Sequence, residues 1–184
     1  GCGAQKGPQV LALAEVIVNI EKDIHPNAQG QVVLGVLSDT HGSLSAEAFR
    51  ALADMDPQLI LHAGDICGQD ILPQLEMLAP VVAVLGNNDY FGEYGSSVTS
   101  RADLEICGIS ITMTHIPSRL LMGAARLGIC GHTHVPRIEQ MGAMTILNPG
   151  SVTRPRSQEG PTIARVVLEE NYIRQIEIVP IMRR

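Results

Sequence analysis

The sequence has no tryptophan, two phenylalanines and three tyrosines in 184 residues. Aromatics at 3% are too few for a platform that stacks the bases of a single strand. Lysine is nearly absent: Lys6 and Lys22 are the only two, and 13 Lys+Arg stand against 19 Asp+Glu, for a formal net charge of −6. A chain of that sign does not wrap nucleic acid by neutralising phosphates. No apolar run approaches the roughly 18 residues that span a bilayer. The longest candidate, Val10 to Ile20, contains Glu15 and Asn19. It lacks the basic flank and small-residue cleavage site of a secretory leader. The four cysteines, Cys2, Cys67, Cys107 and Cys130, form no CxxC pair and read as reduced thiols. The expectation is a soluble cytoplasmic protein with no membrane partner.

What is present is core material: 45% hydrophobic and 17% charged residues, which excludes disorder and low-complexity architectures. Residues 1–30 differ from the rest. Pro8 is placed to open a helix with Leu11, Ala14, Val18 and Ile20 on one face, and Asp23 to Gly30 reads as a turn-rich linker. Two readings stay open for this extension: an extra helix, or residues owed to the start site rather than the fold. From Gln31 to the C-terminus, residues 31–184, the pattern is that of one domain. Buried strands are expected at Val32–Leu37, Leu59–Leu61 and Val81–Leu85, alternating with helices at Ala46–Met55 and Ile71–Leu78. The second half turns β-rich. A hairpin joins 101–106 to 109–114 through Cys107-Gly108, then come a short helix at 119–126 and strands at 128–130, 135–140, 143–147, 163–168 and 172–179.

Metal-binding side chains recur where these strands end. Asp39 and His41 follow the first strand, Asp65 the second, and Asn87, Asn88 and Asp89 the third. His115 follows the second strand of the hairpin, and His132 and His134 the strand after it. In layered α/β folds such ends converge on one edge, where ligands bind. Carboxylate and imidazole without thiolate suit Mn, Fe, Zn or Ni. Pairs spaced i, i+2 (Asp39/His41, His132/His134) both reach a centre only where the backbone bends, which the glycines at 42, 64, 86 and 131 permit. Seven ligands exceed the needs of one ion but serve two that share a bridging carboxylate.

The ordered set D-x-H, G-D, G-N-x-D, a lone His after a strand, and G-H-x-H resembles the calcineurin-like metallophosphoesterases, most closely their small prokaryotic phosphodiesterase branch. Asn148-Pro149-Gly150-Ser151 resembles that branch too. The resemblance implies a four-layer αββα sandwich of two mixed sheets flanked by helices, with a dimetal site at the strand ends. It implies that Asp39, His41 and His134 hold one ion and Asn87, His115 and His132 the other. Asp65 would bridge the two together with a water-derived hydroxide, the nucleophile for in-line attack. Manganese is the expected metal, with Ni, Fe, Zn and Mg as alternatives. Two positions depart from the family: Ile116-Pro117 follows His115 where Gly is usual, and Asn88 replaces a His that donates a proton in many relatives. Asn88 can hydrogen-bond a substrate phosphate but is no general acid near pH 7, which favours diesters with acidic leaving groups. Asp89 is expected to orient a neighbouring ligand.

The remaining candidates carry plainer expectations. His62 is a packed strand-end residue, His25 a solvent-exposed linker residue, Cys67 and Cys130 small hydrophobes, and Arg154 and Arg156 solvated loop charges. The function expected is hydrolysis of a small phosphodiester. Alternatives are a phosphomonoesterase or nucleotide pyrophosphohydrolase with the same centre, or a non-catalytic scaffold like the retromer subunit of this fold. A homo-oligomeric contact through the N-terminal helix stays open.

Overall fold

Val32–Leu37 (β1) is buried along its whole length, because its two faces pack into two different apolar layers. Val32, Leu34 and Val36 point into a core shared with Leu59, Leu61 and Val82 on one side and Leu104, Ile111, Met113 and Ile129 on the other. Leu37, at the same strand's end, belongs instead to a second core with Leu52, Ile60, Ile71 and Leu75. The computed structural model describes residues 13–182. Among them are two five-stranded mixed sheets stacked face to face, with helices flanking them.

The first sheet runs β10-β9-β1-β2-β3. In it β1, β2 (Leu59–His62) and β3 (Val81–Ala83) are parallel, while β9 (Thr162–Glu169) and β10 (Tyr172–Pro180) form an antiparallel edge. Helices α2 (Ala46–Asp54) and α3 (Ile71–Glu76) make the crossovers and cover the outer face. Ser45 caps α2 by accepting the Ala48 N–H. The second sheet runs β4-β5-β6-β8-β7, with β5 (Ile109–Thr114), β6 (Leu127–Ile129) and β8 (Met144–Asn148) parallel. The edges β4 (Arg101–Ile106) and β7 (Arg137–Met141) are antiparallel. Cys107 and Gly108 take φ of 51° and 73°, giving the two-residue hairpin turn whose twist matches its strands.

Three details depart from the sequence reading. The helix expected at 119–126 is a single 3-10 turn, Pro117–Arg119, followed by a loop in which Gly123 has φ 77°, a conformation no α-helix accepts. Its Leu120 still covers the outer face of the second sheet, against Cys130, Met144 and Ile146. The third strand stops at Ala83, and Val84 makes only an isolated bridge to Thr99. The N-terminal helix α1 spans Leu13–Asp23, and of the predicted face only Ile20 packs against the core among the described residues. Ile17 is 5% exposed and Leu13, Ile20 and Ile24 pack beside it, whereas Val18 is 46% exposed. The bulkier aliphatic stripe won. Pro8 and Leu11 lie outside the described residues. No described helix is long and apolar enough to cross a membrane.

Helix α1 lies on β4, and Glu21 accepts the Glu105 backbone N–H at 2.6 Å. Ile17 thus belongs to the core between the sheets, far in sequence from the strands it touches. Ile17→Ala should destabilise the protein by about 2–3 kcal/mol, toward the low end for buried Ile→Ala. The denaturant midpoint measures it, and an unshifted midpoint would show that α1 contributes nothing to the core.

Candidate metal centre

The C-terminal ends of β1, β2 and β3 in one sheet and of β5, β6 and β8 in the other meet along a single edge. Backbone hydrogen bonds lock the loops that leave them: Asp39 N–H to Gly64 C=O (2.9 Å), His41 N–H to Asp65 C=O (3.0 Å) and Gly131 N–H to His115 C=O (2.9 Å). Five of the seven predicted ligands bend sharply here. Asp39, His41, Asp65, His132 and His134 all have positive φ, between 46° and 73°, a region uncommon for residues with a side chain. The predicted bend is therefore made largely by the ligands themselves. Gly42 and Gly64 add positive φ, while Gly86 and Gly131 serve close approach. A Cβ on Gly86 would collide with the Asp65 carboxylate, and one on Gly131 with Ser38 Oγ and the Asp39 carboxylate.

Two groups of side chains come close enough to share an ion: Asp39, His41 and His134, and Asp39, Asp65 and His115. Asp39 Oδ1 is common to both. Its distances are 3.1 Å to His134 Nε2, 3.6 Å to His41 Nε2 and 3.8 Å to His115 Nε2. Asp65 Oδ2 stands between the groups, 3.6 Å from His41 Nε2 and 3.5 Å from His115 Nε2. Asn87 Oδ1 lies between His115 Nε2 (3.0 Å) and His132 Nδ1 (3.1 Å). All seven predicted residues are thus gathered. Asp39 is more central than the sequence reading has it, reaching both groups as Asp65 does.

The donor set fits a cation on grounds internal to the structure. His115 Nδ1 lies 2.7 Å from the Ala63 carbonyl and His134 Nδ1 2.7 Å from the Arg154 carbonyl. A carbonyl only accepts, so each Nδ1 carries the proton and each neutral ring turns a bare Nε2 lone pair inward. Asp39 Oδ2 is satisfied by Ser38 Oγ at 2.6 Å and the His132 N–H at 3.1 Å. Its partner oxygen Oδ1 is buried with no hydrogen-bond donor, since His134 offers it a lone pair rather than an N–H. An unpaired buried carboxylate oxygen ringed by imidazole lone pairs is costly unless positive charge sits among them. The two carboxylates also favour positive charge at this spot. Burial opposes charge on His115, yet Asp65 and Asp39 outweigh it and raise its pKa. Burial would also raise the Asp65 pKa, but the adjoining His115 ring and the hydrogen bonds from Asn88 hold it well below the usual carboxylate range.

Residues without a predicted metal role hold this arrangement. Asp89 accepts the backbone N–H groups of Gly86 (2.8 Å), Ile66 (3.2 Å) and Cys67 (3.0 Å), tying the Asp65 loop to the Asn87 loop. These contacts are to backbone, not to the side chain of a candidate ligand. Asn88 turns its side chain to Asp65 Oδ2 (2.8 Å) and its N–H to Oδ1 (2.9 Å). His62 Nδ1 accepts the Gly64 N–H, so Nε2 is the donor to Thr40 Oγ1, which passes its own proton to the Ile66 carbonyl. Complete burial pushes the His62 pKa down to about 3, and it is a neutral strut. His25 is exposed. The Cys67 and Cys130 thiols are pushed up to about 12, chiefly by burial, so neither is a thiolate at neutral pH.

Sequence reasoning missed the supports contributed by Ser38, Thr40 and Thr153. Thr153 Oγ1 and Ser151 Oγ bond the Asp39 carbonyl, and Asn148 Nδ2 bonds the Gly131 carbonyl. The N-P-G-S stretch is the only signal that pointed to this layer. Arg154 and Arg156 are exposed, as expected of loop charges, but they also line the cavity over the cluster.

Comparison with known proteins agrees with this geometry. Residues 32–171 match the model of the calcineurin-like phosphoesterase superfamily domain. A probable metallophosphoesterase of Methanothermobacter thermautotrophicus is 40% identical over 140 residues, covering 68% of this chain and 80% of that protein. The solved structure of an archaeal phosphodiesterase superposes with a TM-score of 0.66 at 24% identity, covering 80% of this chain and 99% of that one. Zinc-complexed Vps29 of Entamoeba histolytica superposes with a TM-score of 0.65 at 19% identity, covering 80% and 97%. At those identities the two structures share the fold of this chain.

The crowding at Gly131 gives a test. Gly131→Ala forces the Asp39 carboxylate aside while leaving every candidate ligand in the sequence. Divalent-ion affinity, read by calorimetry, should fall by about 10–100-fold, as when a support of a metal ligand is lost. Unchanged affinity would mean that Asp39 is not held in place as described.

Proposed function

This chain belongs to the calcineurin-like phosphoesterase superfamily, and on that footing we propose that it is a phosphodiesterase working on small diesters with two divalent ions, manganese foremost. The observation that carries the reading is the buried, donorless Asp39 Oδ1 facing the imidazoles of His41, His134 and His115. Asp39, His41 and His134 would hold one ion and Asn87, His115 and His132 the other. Asp65 would reach both, its Oδ2 standing about equally far from His41 and His115. Divalent ions in such a site neutralise charge on phosphate oxygens and lower the pKa of water, so that a nucleophile exists near neutral pH.

The remaining work falls to the chain's own residues. Ala63 and Arg154 fix the tautomers of His115 and His134 through their carbonyls, keeping both Nε2 atoms free of protons. Asn88 clamps both oxygens of Asp65, which holds against rotation the carboxylate that would serve both ions. In the net reaction water's oxygen bonds to phosphorus, one ester P–O bond breaks, and the departing alcohol takes up a proton. Residue 88 offers no acid for that proton, because a carboxamide does not ionise near pH 7. Diesters whose leaving group is stable as an anion suffer least from this. The proposal includes a cytoplasmic location, supported by four cysteines that form no CxxC pair.

Removal of metal is the direct test. Chelated and dialysed protein should be inactive on bis(p-nitrophenyl) phosphate and recover with Mn or Ni better than with Ca. Turnover in excess chelator would refute the reading. Asp65→Ala should be the most damaging single substitution, losing both ions by elemental analysis. A variant that keeps its metal and its rate would remove Asp65 from the centre.

Asn88 supplies a separate test. General acid catalysis contributes about 10²–10⁴-fold where a leaving group needs it. Asn88→His should therefore raise the ratio of alkyl-ester to aryl-ester hydrolysis, at unchanged metal content. A ratio that does not move would place residue 88 away from the leaving group, as a holder of Asp65 alone.

A further inference from the structure

Arg154 and Arg156 have no part in the chemistry above, yet both line the polar cavity of about 370 Å³ that opens over Asp65, Asn88, His132 and His134. Their loop is fixed to a candidate ligand. The Arg154 N–H donates to Ser151 Oγ at 2.9 Å, the Arg154 carbonyl accepts from His134 Nδ1 at 2.7 Å, and the Arg156 N–H donates to the His134 carbonyl at 3.1 Å. Pro155 between them has a locked φ. The two guanidinium groups are therefore presented from a rigid segment on the cavity's His41/His134 side. Asn87 marks the other side through its contacts to His115 and His132.

Neither arginine has a carboxylate within salt-bridge distance among the described residues. That is notable in a chain of net charge −6. Two divalent cations against Asp39, Asp65 and a hydroxide would already balance a diester, which carries one negative charge. Two more cations on the wall have no counterpart in a plain diester. Arg154 also borders a neighbouring cavity, but Glu47 lines that one, which disfavours an anion there. Guanidinium forks match phosphate oxygens bidentately.

We propose that Arg154 and Arg156 form a subsite for a second phosphate on one arm of the substrate, so that the preferred substrates are diesters bearing an additional phosphate, such as a 5′-phosphorylated dinucleotide. The inference rests on the phosphodiesterase reading of the metal centre. It divides the site in two, with the His41/His134 end gripping the phosphorylated arm. Asn88 and His132 face the other arm.

The dinucleotides pApA and ApA share one scissile bond and differ by a terminal phosphate. With the manganese-loaded full chain, kcat/KM for pApA should exceed that for ApA by at least about tenfold, the worth of a charge-assisted hydrogen bond. Arg154→Gln and Arg156→Gln should each lower that ratio, the double variant should bring it near one, and Arg154→Lys should keep part of it. Calorimetry gives a readout free of turnover: adenosine 3′,5′-bisphosphate should bind more tightly than AMP, with the gap lost in the double variant. Equal hydrolysis of pApA and ApA by the unaltered chain, or a preference and affinity gap that survive in the double variant, would overturn the subsite. Failure of the diesterase reading looks different, because no diester, bis(p-nitrophenyl) phosphate included, would then turn over with metal. In that case the calorimetric gap alone decides the subsite.

Discussion

The lone pairs gathered around Asp39 Oδ1 repel one another, and much of the surrounding structure serves to hold them together. Three imidazole nitrogens and a second carboxylate lie within reach of that oxygen or of its neighbour Asp65 Oδ2, and among the described residues no donor is aimed at it. Left to themselves such groups would rotate outward into water. The backbone prevents it. Five of the seven candidate ligands hang from left-handed residues, each costing on the order of 1 kcal/mol or more. Strain of that size, at adjacent loops on one edge, persists only where the rest of the fold over-determines it. The two apolar cores beneath the edge and the parallel strands that feed it do so.

The polar layer around the cluster converts that rigidity into aim. The loops that carry candidate ligands are tied to one another. Asp89 joins the 65–67 turn to the 86–89 turn, Ser151 and Thr153 hold Asp39 from the far end of the chain, and Asn148 steadies Gly131. None of these side chains points a free group at the cavity. Their effect reaches the centre through backbone position, which is why a single methyl at Gly131 or Gly86 would matter more than many changes at the surface.

The architecture was largely legible. Continuous apolar runs at β1 and β2 announced strands buried on both faces, and the alternation at 101–114 announced the hairpin, because burial imposes those periods directly. The seven candidate ligands were legible as a set through the recurrence of Asp, His and Asn after each run. Conformations set by tertiary context were not. Leu120 to Arg126 has helical composition, yet Gly123 adopts positive φ and Leu120 is drawn onto the second sheet. On α1 the sequence reading set Ala14 and Val18 on the buried side, and only packing on the partner strand β4 selects Ile17 instead. The supports at Ser38, Thr40 and Thr153 left no trace in sequence, because a hydroxyl that bonds a distant carbonyl looks like any loop hydroxyl.

Fold alone does not separate an esterase from a scaffold, since one architecture carries both kinds of work. The separation comes from what a scaffold would have no reason to keep. A surface that only docks a partner gains nothing from a buried carboxylate oxygen without a donor, and relaxing it by one Ser or Asn in place of Asp39 would be stabilising. Nor does it gain from His115 and His134 being locked in the one tautomer that bares Nε2. Retaining several unfavourable features that all point at the same few cubic ångströms makes physical sense only if something positively charged is bound there. A bound cation meets that requirement, and the proposed arginine subsite applies the same logic of charge to the substrate.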